Sequence, residues 1–169
     1  MEKKYEFTCE TMRYEGRTLH RIRALKDFGN VKAGDVGGWV ETEVNLSHDD
    51  NAWVFGNAQV SGNARVFGNA QVSGNAWVSG NARVSGNARV SGNEDYYTCG
   101  PIGSRNDYTT FFRDSKLGAR VVCGCFSGSL DDFEKAVNKT HPYDQHGMEY
   151  RALIALAKIR FAYVFDEIT

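Results

Sequence analysis

The stretch GPIGSR, residues 100–105, contains chemical groups that hold anions. A tight turn through Gly103 would present backbone N–H groups, and the Ser104 hydroxyl and the Arg105 guanidinium follow it directly. Donors of these kinds, placed close together, bind phosphates and carboxylates. The stretch therefore predicts a site for a phosphorylated or otherwise anionic small molecule, such as a nucleotide. An ordinary glycine-rich turn is the alternative interpretation.

A second stretch of this kind, FSGSL, occupies residues 126–130. It lies where a helix is predicted to begin, and the free N–H groups and dipole of a helix N-terminus attract anions. A simple helix cap is again the alternative. The predicted ligand-binding set also contains Ser127, Gly128 and Ser129 of this stretch. Two charged or titratable residues elsewhere in the tail complete it, Arg113 and His141. Whether the two stretches meet at one end of a sheet is left open by the sequence.

No catalytic or metal-binding set is recognisable in the sequence. The CGC stretch at 123–125 holds its thiols too close together for the usual zinc pair, and a second pair is missing. Cys99 or Cys123 could act as a nucleophile with His141, but no neighbouring residue is of a type that would clearly lower a thiol pKa. Buried strand cysteines are the favoured interpretation. We predict no catalytic residue, no metal ion and no cofactor.

A small α+β unit at residues 95–169 must position the predicted site. Alternating and helical spacing of apolar residues predicts five elements in it: strands near 95–99, 108–113 and 119–126, and helices near 130–139 and 145–163. Ser129 and Asp132 have the spacing of a capping box at the start of the first helix. Both helices carry an apolar face that would pack on the sheet.

Residues 51–92 repeat one six-residue phrase, Asn-Ala-X-Val-(Ser/Phe)-Gly, seven times. Alanine and valine stand two positions apart, so both point to the same side of a short strand. The Gly-Asn pair suits a corner, because both residues tolerate a left-handed backbone conformation. The repeat predicts a β-solenoid with alanine and valine inside.

The repeated V-S-G-N-A-R resembles the hexapeptide pattern of the left-handed parallel β-helix, whose triangular coils contain three hexads each. The resemblance implies a short β-helix at 37–94, with GGWVETEVNLSHDD as an irregular first coil. Residues 1–36 read as a hairpin cap with its turn at Glu15-Gly16. The expected fold class is mainly β with an α+β tail.

Large and charged residues occupy outward positions of the repeats. Aromatic rings and arginines on flat faces are typical of protein interfaces, and the resemblance implies a homo-oligomer, with a trimer favoured. The alternative is that the head or the tail of the chain covers these faces. The predicted interface residues are Trp53, Phe55, Arg65, Phe67, Trp77, Arg83 and Arg89.

Many hexapeptide-repeat proteins are acyltransferases with a histidine on a loop that leaves the helix. Residues 51–92 contain neither an insertion nor a histidine, and His48 falls at a predicted inward position where a structural role is favoured. An acyltransferase is therefore the third of three functional hypotheses. A binding protein comes first, and a structural or protein-binding scaffold comes second.

The 20 basic and 21 acidic residues give a formal charge of -1, so no overall field draws the chain to nucleic acid or membrane. The longest apolar stretch, 151–165, is too short and too charged to span a bilayer. We expect a reduced, cytoplasmic protein that binds neither nucleic acid nor membrane.

The whole chain also resembles small proteins of bacteriophages and prophages in which a hexapeptide solenoid precedes a GPIGSR-type tail. That resemblance implies no established reaction. It implies an accessory protein that acts by binding, for example by sequestering a nucleotide signal of bacterial immunity in the host cytoplasm.

Overall fold

The computed structural model describes residues 2–162 of the chain. Within them the protein is mainly β, with two helices near the C-terminus, which confirms that much of the expected fold class. The chain divides into two compact units, Met1–Asn93 and Glu94–Thr169, and the first contains both the hairpin and the repeats. Neither helix of the described part combines the length and the apolar composition that a membrane span requires.

An antiparallel hairpin begins the first unit. Strands β1 (Tyr5–Tyr14) and β2 (Arg17–Ala24) are joined at Glu15 and Gly16, whose φ angles are +46° and +78°. Two positive φ angles match the twist of a two-residue hairpin turn, so the predicted turn is confirmed. Strand β3 (Val36–Val40) pairs antiparallel with β2 and parallel with a repeat strand. Hairpin and solenoid therefore share one sheet.

Each repeat in residues 51–92 forms a two-residue strand. The strands are β4 (Trp53–Val54), β5 (Gln59–Val60), β6 (Arg65–Val66), β7 (Gln71–Val72), β8 (Trp77–Val78), β9 (Arg83–Val84) and β10 (Arg89–Val90). The pairs are parallel and join every third strand: β4 with β7, β7 with β10, β5 with β8, and β6 with β9. Paired residues such as Trp53 and Gln71 are 18 positions apart, so one coil contains three repeats.

Valine and alanine side chains fill the interior of the solenoid. Every valine and alanine at the predicted inward positions of residues 51–92 is at most 1% exposed, which confirms the alternation. Glycine is needed at the corners: Gly74 has φ +61°, and a Cβ there would overlap the Ser91 carbonyl group. Along another corner, the Asn51 amide donates to Asn69 Oδ1 at 2.9 Å. The coils are thus joined by packing inside and by amide ladders at their edges.

The second unit is a four-stranded antiparallel meander followed by two helices. Its elements are β11 (Tyr96–Ile102), β12 (Asp107–Asp114), β13 (Gly118–Cys123), β14 (Phe126–Ser129), α1 (Leu130–Thr140) and α2 (Gln145–Ala162). Both predicted helices are present, and position 163 at the predicted end of the second lies outside the described residues. The single strand predicted at 119–126 is wrong, because Gly124 and Cys125 turn the chain between β13 and β14.

The helices pack on one face of the meander. Phe111 and Val121 of the sheet, Phe133 of α1, and Ile154 of α2 are all at most 4% exposed and belong to one apolar cluster. This confirms that both helices pack an apolar face on the sheet. Leu156 of α2 is apolar as well, but it is 47% exposed.

Asp114 organises the turn between β12 and β13, and we expect it to make stability dependent on acid. Burial acts to raise the pKa of Asp114, but hydrogen bonds from Arg120 and from the N–H groups of Lys116 and Leu117 outweigh it and lower that pKa. A depressed carboxyl pKa stabilises the fold above the unfolded-state value and loses this effect as pH falls through the folded-state value.

The measurement is the free energy of unfolding of wild type and Asp114→Asn between pH 7 and about pH 3. Wild type should be more stable near neutrality, and the difference should shrink towards acid. A difference that stays constant with pH would contradict the assignment. Lys116→Ala, which changes an exposed side chain in the same turn, is the control.

Candidate ligand-binding site

A cavity of about 220 Å³ opens in the second unit where two turns of the meander meet the end of α1. Its floor is apolar and includes Phe126, Phe133 and Val137. Its rim is polar: Ser104, Arg105, Asp107, Cys123, Cys125, Thr140, His141 and the ring of Tyr150 also line it. An apolar cavity with a few convergent polar groups is the usual form of a small-molecule site.

The turn that carries Arg105 is fixed by glycine and by α2. β11 continues through Ile102, so the GPIGSR stretch is partly strand and the turn itself covers residues 103–106. Gly103 has φ +71°, and a Cβ at this position would overlap the Tyr150 hydroxyl group. Its N–H donates to Glu149 Oε2 at 3.0 Å. The turn is therefore held against α2 before any ligand is considered.

Arg105 supplies positive charge at the rim. Its guanidinium donates to Cys125 Sγ at 3.9 Å, and within residues 2–162 it forms no ion pair with a carboxylate. Asp107 lines the same cavity, but one of its carboxylate oxygens accepts the N–H of Tyr108 at 2.7 Å. The exposed guanidinium is thus available to a carboxylate or phosphate, which it can bind with two parallel hydrogen bonds.

The Asp144 carboxylate orients the ring of His141 by a hydrogen bond with Nδ1. His141 follows the last residue of α1, and its Nδ1 lies 2.8 Å from Asp144 Oδ2. The hydrogen bond from His141, together with the N–H of Gly147, lowers the pKa of Asp144. An ionised Asp144 favours a proton on Nδ1, which leaves Nε2 to accept or donate a hydrogen bond.

The thiols and the phenol at the cavity contact other side chains. Cys123 Sγ accepts from Thr109 Oγ1 at 3.2 Å and lies 3.8 Å from the Tyr150 hydroxyl oxygen. Burial raises the pKa of Tyr150, so this phenol stays neutral at physiological pH. Both cysteines are free, and Cys125 is exposed in the turn rather than buried on a strand, which corrects the expectation for CGC.

The two predicted anion-binding stretches do not converge. Ser104, Arg105 and His141 line the cavity, with Gly103 in the turn beside them. Along β14, Phe126 pairs with Cys123 at the cavity end, whereas Ser129 pairs with Arg120 at the other end of the sheet. Ser129 belongs instead to a separate cavity of about 230 Å³ with Lys158 and Phe161.

The remaining predicted ligand-binding residues have structural partners. Ser129 Oγ accepts the N–H of Asp132 at 3.1 Å and donates to its carboxylate at 2.8 Å, so an acidic side chain of the chain already occupies this helix N-terminus. Gly128 lies within β14, and Ser127 Oγ accepts from Arg120. Arg113 Nε donates to Asp95 Oδ1 at 2.7 Å. None of these residues lines the cavity around Arg105, and their role in ligand binding stays a prediction.

Sequence reasoning missed the apolar floor and the Gly124-Cys125 turn. A glycine followed by one residue between two apolar runs is a hairpin signal, and it would have placed Cys125 beside the 103–106 turn. Tyr150 and Phe133 carried no comparable signal, because their spacing on the helices is equally typical of a core.

The hairpin covers part of the predicted interface. Trp53 is 1% exposed and contacts the rings of Tyr5 and Phe28, with centroids 6.1 and 5.3 Å away, so the expectation that it is exposed is wrong. Trp77 is half-buried against Tyr14, at 4.8 Å. Of the other predicted interface residues, Arg65 and Arg89 are exposed, while Phe55, Phe67 and Arg83 are half-buried. The alternative interpretation was that the N-terminal residues 1–36 cover these faces, and residues of that segment do contact both tryptophans.

Comparisons with known proteins concern the solenoid. The YdcK β-solenoid repeat family matches residues 58–74, 70–85 and 82–93. The chain is a repeat β-solenoid protein. The chain is also similar to the uncharacterized acetyltransferase YdcK of Escherichia coli (strain K12), with 40% identity over 37 residues. That segment is 22% of this chain and 11% of the relative, so the chain matches only a small part of the relative's length.

Proposed function

We propose that this β-solenoid protein binds an anionic small molecule without converting it. The observation that carries the proposal is Arg105, whose guanidinium has no carboxylate partner in the described part of the chain and lies at the rim of an apolar cavity. A phosphorylated or carboxylated ligand with an apolar or ring-shaped part fits this combination, since the ring would rest on Phe126 and Phe133. The Nε2 atom of a neutral His141 would accept a hydrogen bond from a hydroxyl or amino group of the ligand.

Binding without turnover is favoured by the partners of the reactive groups. Cys123 contacts Thr109 and Tyr150, and His141 donates the hydrogen bond that orients its ring to the Asp144 carboxylate at the protein surface. These contacts support a rigid rim rather than an activated nucleophile.

The setting of this binding protein is part of the proposal. We infer a left-handed hexapeptide solenoid, because coils of 18 residues with three short strands are the form that the sequence resembles. We also infer a phage or prophage accessory protein in the host cytoplasm, which sequesters a nucleotide immune signal and forms a homo-oligomer, with a trimer favoured. Mass spectrometry of the native protein would test the oligomer, and a monomer would contradict it.

The first test is thermal stability with a panel of cyclic dinucleotides, ADP-ribose, NAD and coenzyme A. A ligand that binds the native state raises the midpoint of unfolding. Arg105→Ala should weaken binding by about 1 to 3 kcal/mol, since it removes a charge-assisted hydrogen bond. Arg105→Lys should recover part of this loss because it keeps the charge but not the paired geometry.

Arg89→Ala, an exposed arginine of the solenoid, is the matched control and should bind like wild type. Unchanged affinity in Arg105→Ala would remove this residue from the site. Absence of any shift across the panel would favour the scaffold hypothesis, for which the exposed Arg65 and Arg89 are the first positions to replace.

An acetyltransferase is the second candidate, and the similarity of a 37-residue segment to a protein of that name supports it. Residues 51–92 form uninterrupted strands and corners, without the loop that carries the histidine in the acyltransferases that the pattern resembles. Release of free coenzyme A from acetyl-coenzyme A in the presence of amine or hydroxyl acceptors would favour this candidate over binding alone.

A further inference from the structure

The rim of the cavity around Arg105 carries an acidic group as well as a basic one. Asp107 follows Arg105 by two residues and lines the same cavity. Within residues 2–162 the two side chains form no ion pair, either with each other or with another residue. One oxygen of Asp107, Oδ1, accepts the N–H of Tyr108 at 2.7 Å. The other carboxylate oxygen and the guanidinium are therefore both open to a ligand.

The alternation of β12 directs Asp107 to the side of the sheet on which the cavity lies. Asp107 begins this strand, and side chains two positions apart on a strand point to the same face. Thr109 and Phe111 on that face are 0% exposed, and the ring centroids of Phe111 and Phe133 of α1 are 6.2 Å apart. The carboxylate of Asp107 thus lies on the helix-covered face, at the end of the sheet where the cavity opens.

These two charges favour one class of ligand over another. A phosphate group brings negative charge alone, so its attraction to Arg105 is opposed by repulsion from Asp107. A ligand with both a carboxylate and an ammonium group brings a partner for each side chain, because each contact is then a charge-assisted hydrogen bond. The Nε2 atom of a neutral His141 lines the same cavity and is a further acceptor for an ammonium group.

The volume of the cavity limits the apolar part of the ligand. The cavity measures about 220 Å³. An apolar cavity of about 150 Å³ can hold a benzene ring, whereas pockets for larger ligands usually measure about 300 to 1,000 Å³. One ring or one branched aliphatic group therefore fills the floor formed by Phe126, Phe133 and Val137.

We propose that this cavity binds a free α-amino acid with an aromatic or large aliphatic side chain. The carboxylate of the amino acid pairs with Arg105, its ammonium group pairs with Asp107, and its side chain packs on Phe126 and Phe133. The inference rests on the proposed function, and among the ligands which that function allows it selects a carboxylate with an ammonium group over a phosphate. Asp107 is the residue that determines this selection.

Calorimetric titration of the full chain tests the ligand class with L-phenylalanine, L-leucine, 3-phenylpropionate and phenethylamine. The last two compounds lack the ammonium group and the carboxylate respectively. At least one of the amino acids should bind about tenfold more tightly than both analogues, since each analogue leaves one charged side chain of the rim without a partner. Equal affinity for phenylalanine, leucine and 3-phenylpropionate would overturn the proposal.

Variants assign the two charged groups of the ligand to their partners. Asp107→Asn keeps the acceptor for the Tyr108 N–H and should weaken amino acid binding by about tenfold or more. The same variant should bind 3-phenylpropionate at least as tightly as wild type, which also shows that it folds. Arg105→Ala should weaken the binding of both compounds. Glu10→Gln, which removes an exposed carboxylate from the first unit, is the matched control and should bind like wild type.

Two results separate this proposal from the proposed function on which it rests. Amino acid affinity that is unchanged in Asp107→Asn would overturn the proposal. If no amino acid binds, but 3-phenylpropionate or a nucleotide binds and is lost in Arg105→Ala, the proposal is overturned and the proposed function stands. If no probe shows binding that depends on Arg105, both are overturned.

Discussion

Replacing Trp53 with alanine should lower the free energy of unfolding of the first unit by about 3 to 5 kcal/mol. The indole is 1% exposed and contacts Tyr5 and Phe28. A Cβ added at Gly37 would come within 2.6 Å of the indole ring, which shows how closely the backbone approaches it. Alanine would leave a cavity whose walls cannot close without moving β3. Urea denaturation followed by far-ultraviolet circular dichroism measures the change.

Trp77→Ala is the matched control, because it removes the same ring from the same position of another repeat. Trp77 is only half-buried, and its indole N–H donates to Ser61 Oγ at 3.0 Å. Its loss should cost less than that of Trp53. Equal losses would mean that the hairpin adds little to the packing of Trp53, contrary to our interpretation of the hairpin as a cap.

Replacing Lys4 with methionine should cost about 3 kcal/mol or more, since buried carbonyl groups lose their donor. The Lys4 ammonium donates to the carbonyl oxygens of Ala52, Asp49 and Asp50 at 2.8, 3.2 and 3.4 Å, and the residue is 0% exposed. Methionine keeps the length and apolar contacts of the side chain. Lys3→Met is the control, because Lys3 forms an exposed ion pair with Glu43 and should cost little.

The same lysine should make stability dependent on alkaline pH. Burial lowers the pKa of Lys4 from 10.5 to about 8, so between these values the unfolded chain binds more protons than the folded one. Stability must then rise with pH from about 8 upwards, and it gains nothing from this group below that value. The difference in unfolding free energy between wild type and Lys4→Met should widen from pH 7.5 to about pH 9.5. A difference that does not change would show that burial leaves this pKa near its ordinary value.

The solenoid is the part of the fold that the sequence predicts best. Each valine and alanine of residues 51–92 occupies the same environment in every repeat, so the seven copies of the pattern all predict the same short strand and corner. The cover over Trp53 could not be predicted, because Phe28 lies in a segment without periodicity and reaches the indole only through the pairing of β2 with β3.

The sequence predicted charged groups of the candidate site and not the shape of the cavity. Arg105 was predicted because it follows a glycine turn that presents donors, and His141 as a titratable residue of the tail, and both line the same cavity. Ser129 was misplaced, since a helix N-terminus attracts a ligand anion and a carboxylate of the chain equally well, and here Asp132 occupies it. Which turns meet at one end of a meander depends on the number of strands, and one strand too few was predicted.

Coils of 18 residues also limit how such a chain can change length in evolution. After duplication or loss of a whole coil, every later side chain still lies on the same face of the solenoid. The row formed by Arg65 of β6 and Arg83 of β9 would then gain or lose one arginine and remain aligned. Loss of a single hexad keeps valine and alanine inside but moves every later outward residue to the next face. The core would tolerate both events, whereas surface recognition would survive only the first. Selection on a surface should therefore appear as insertions and deletions in multiples of three repeats.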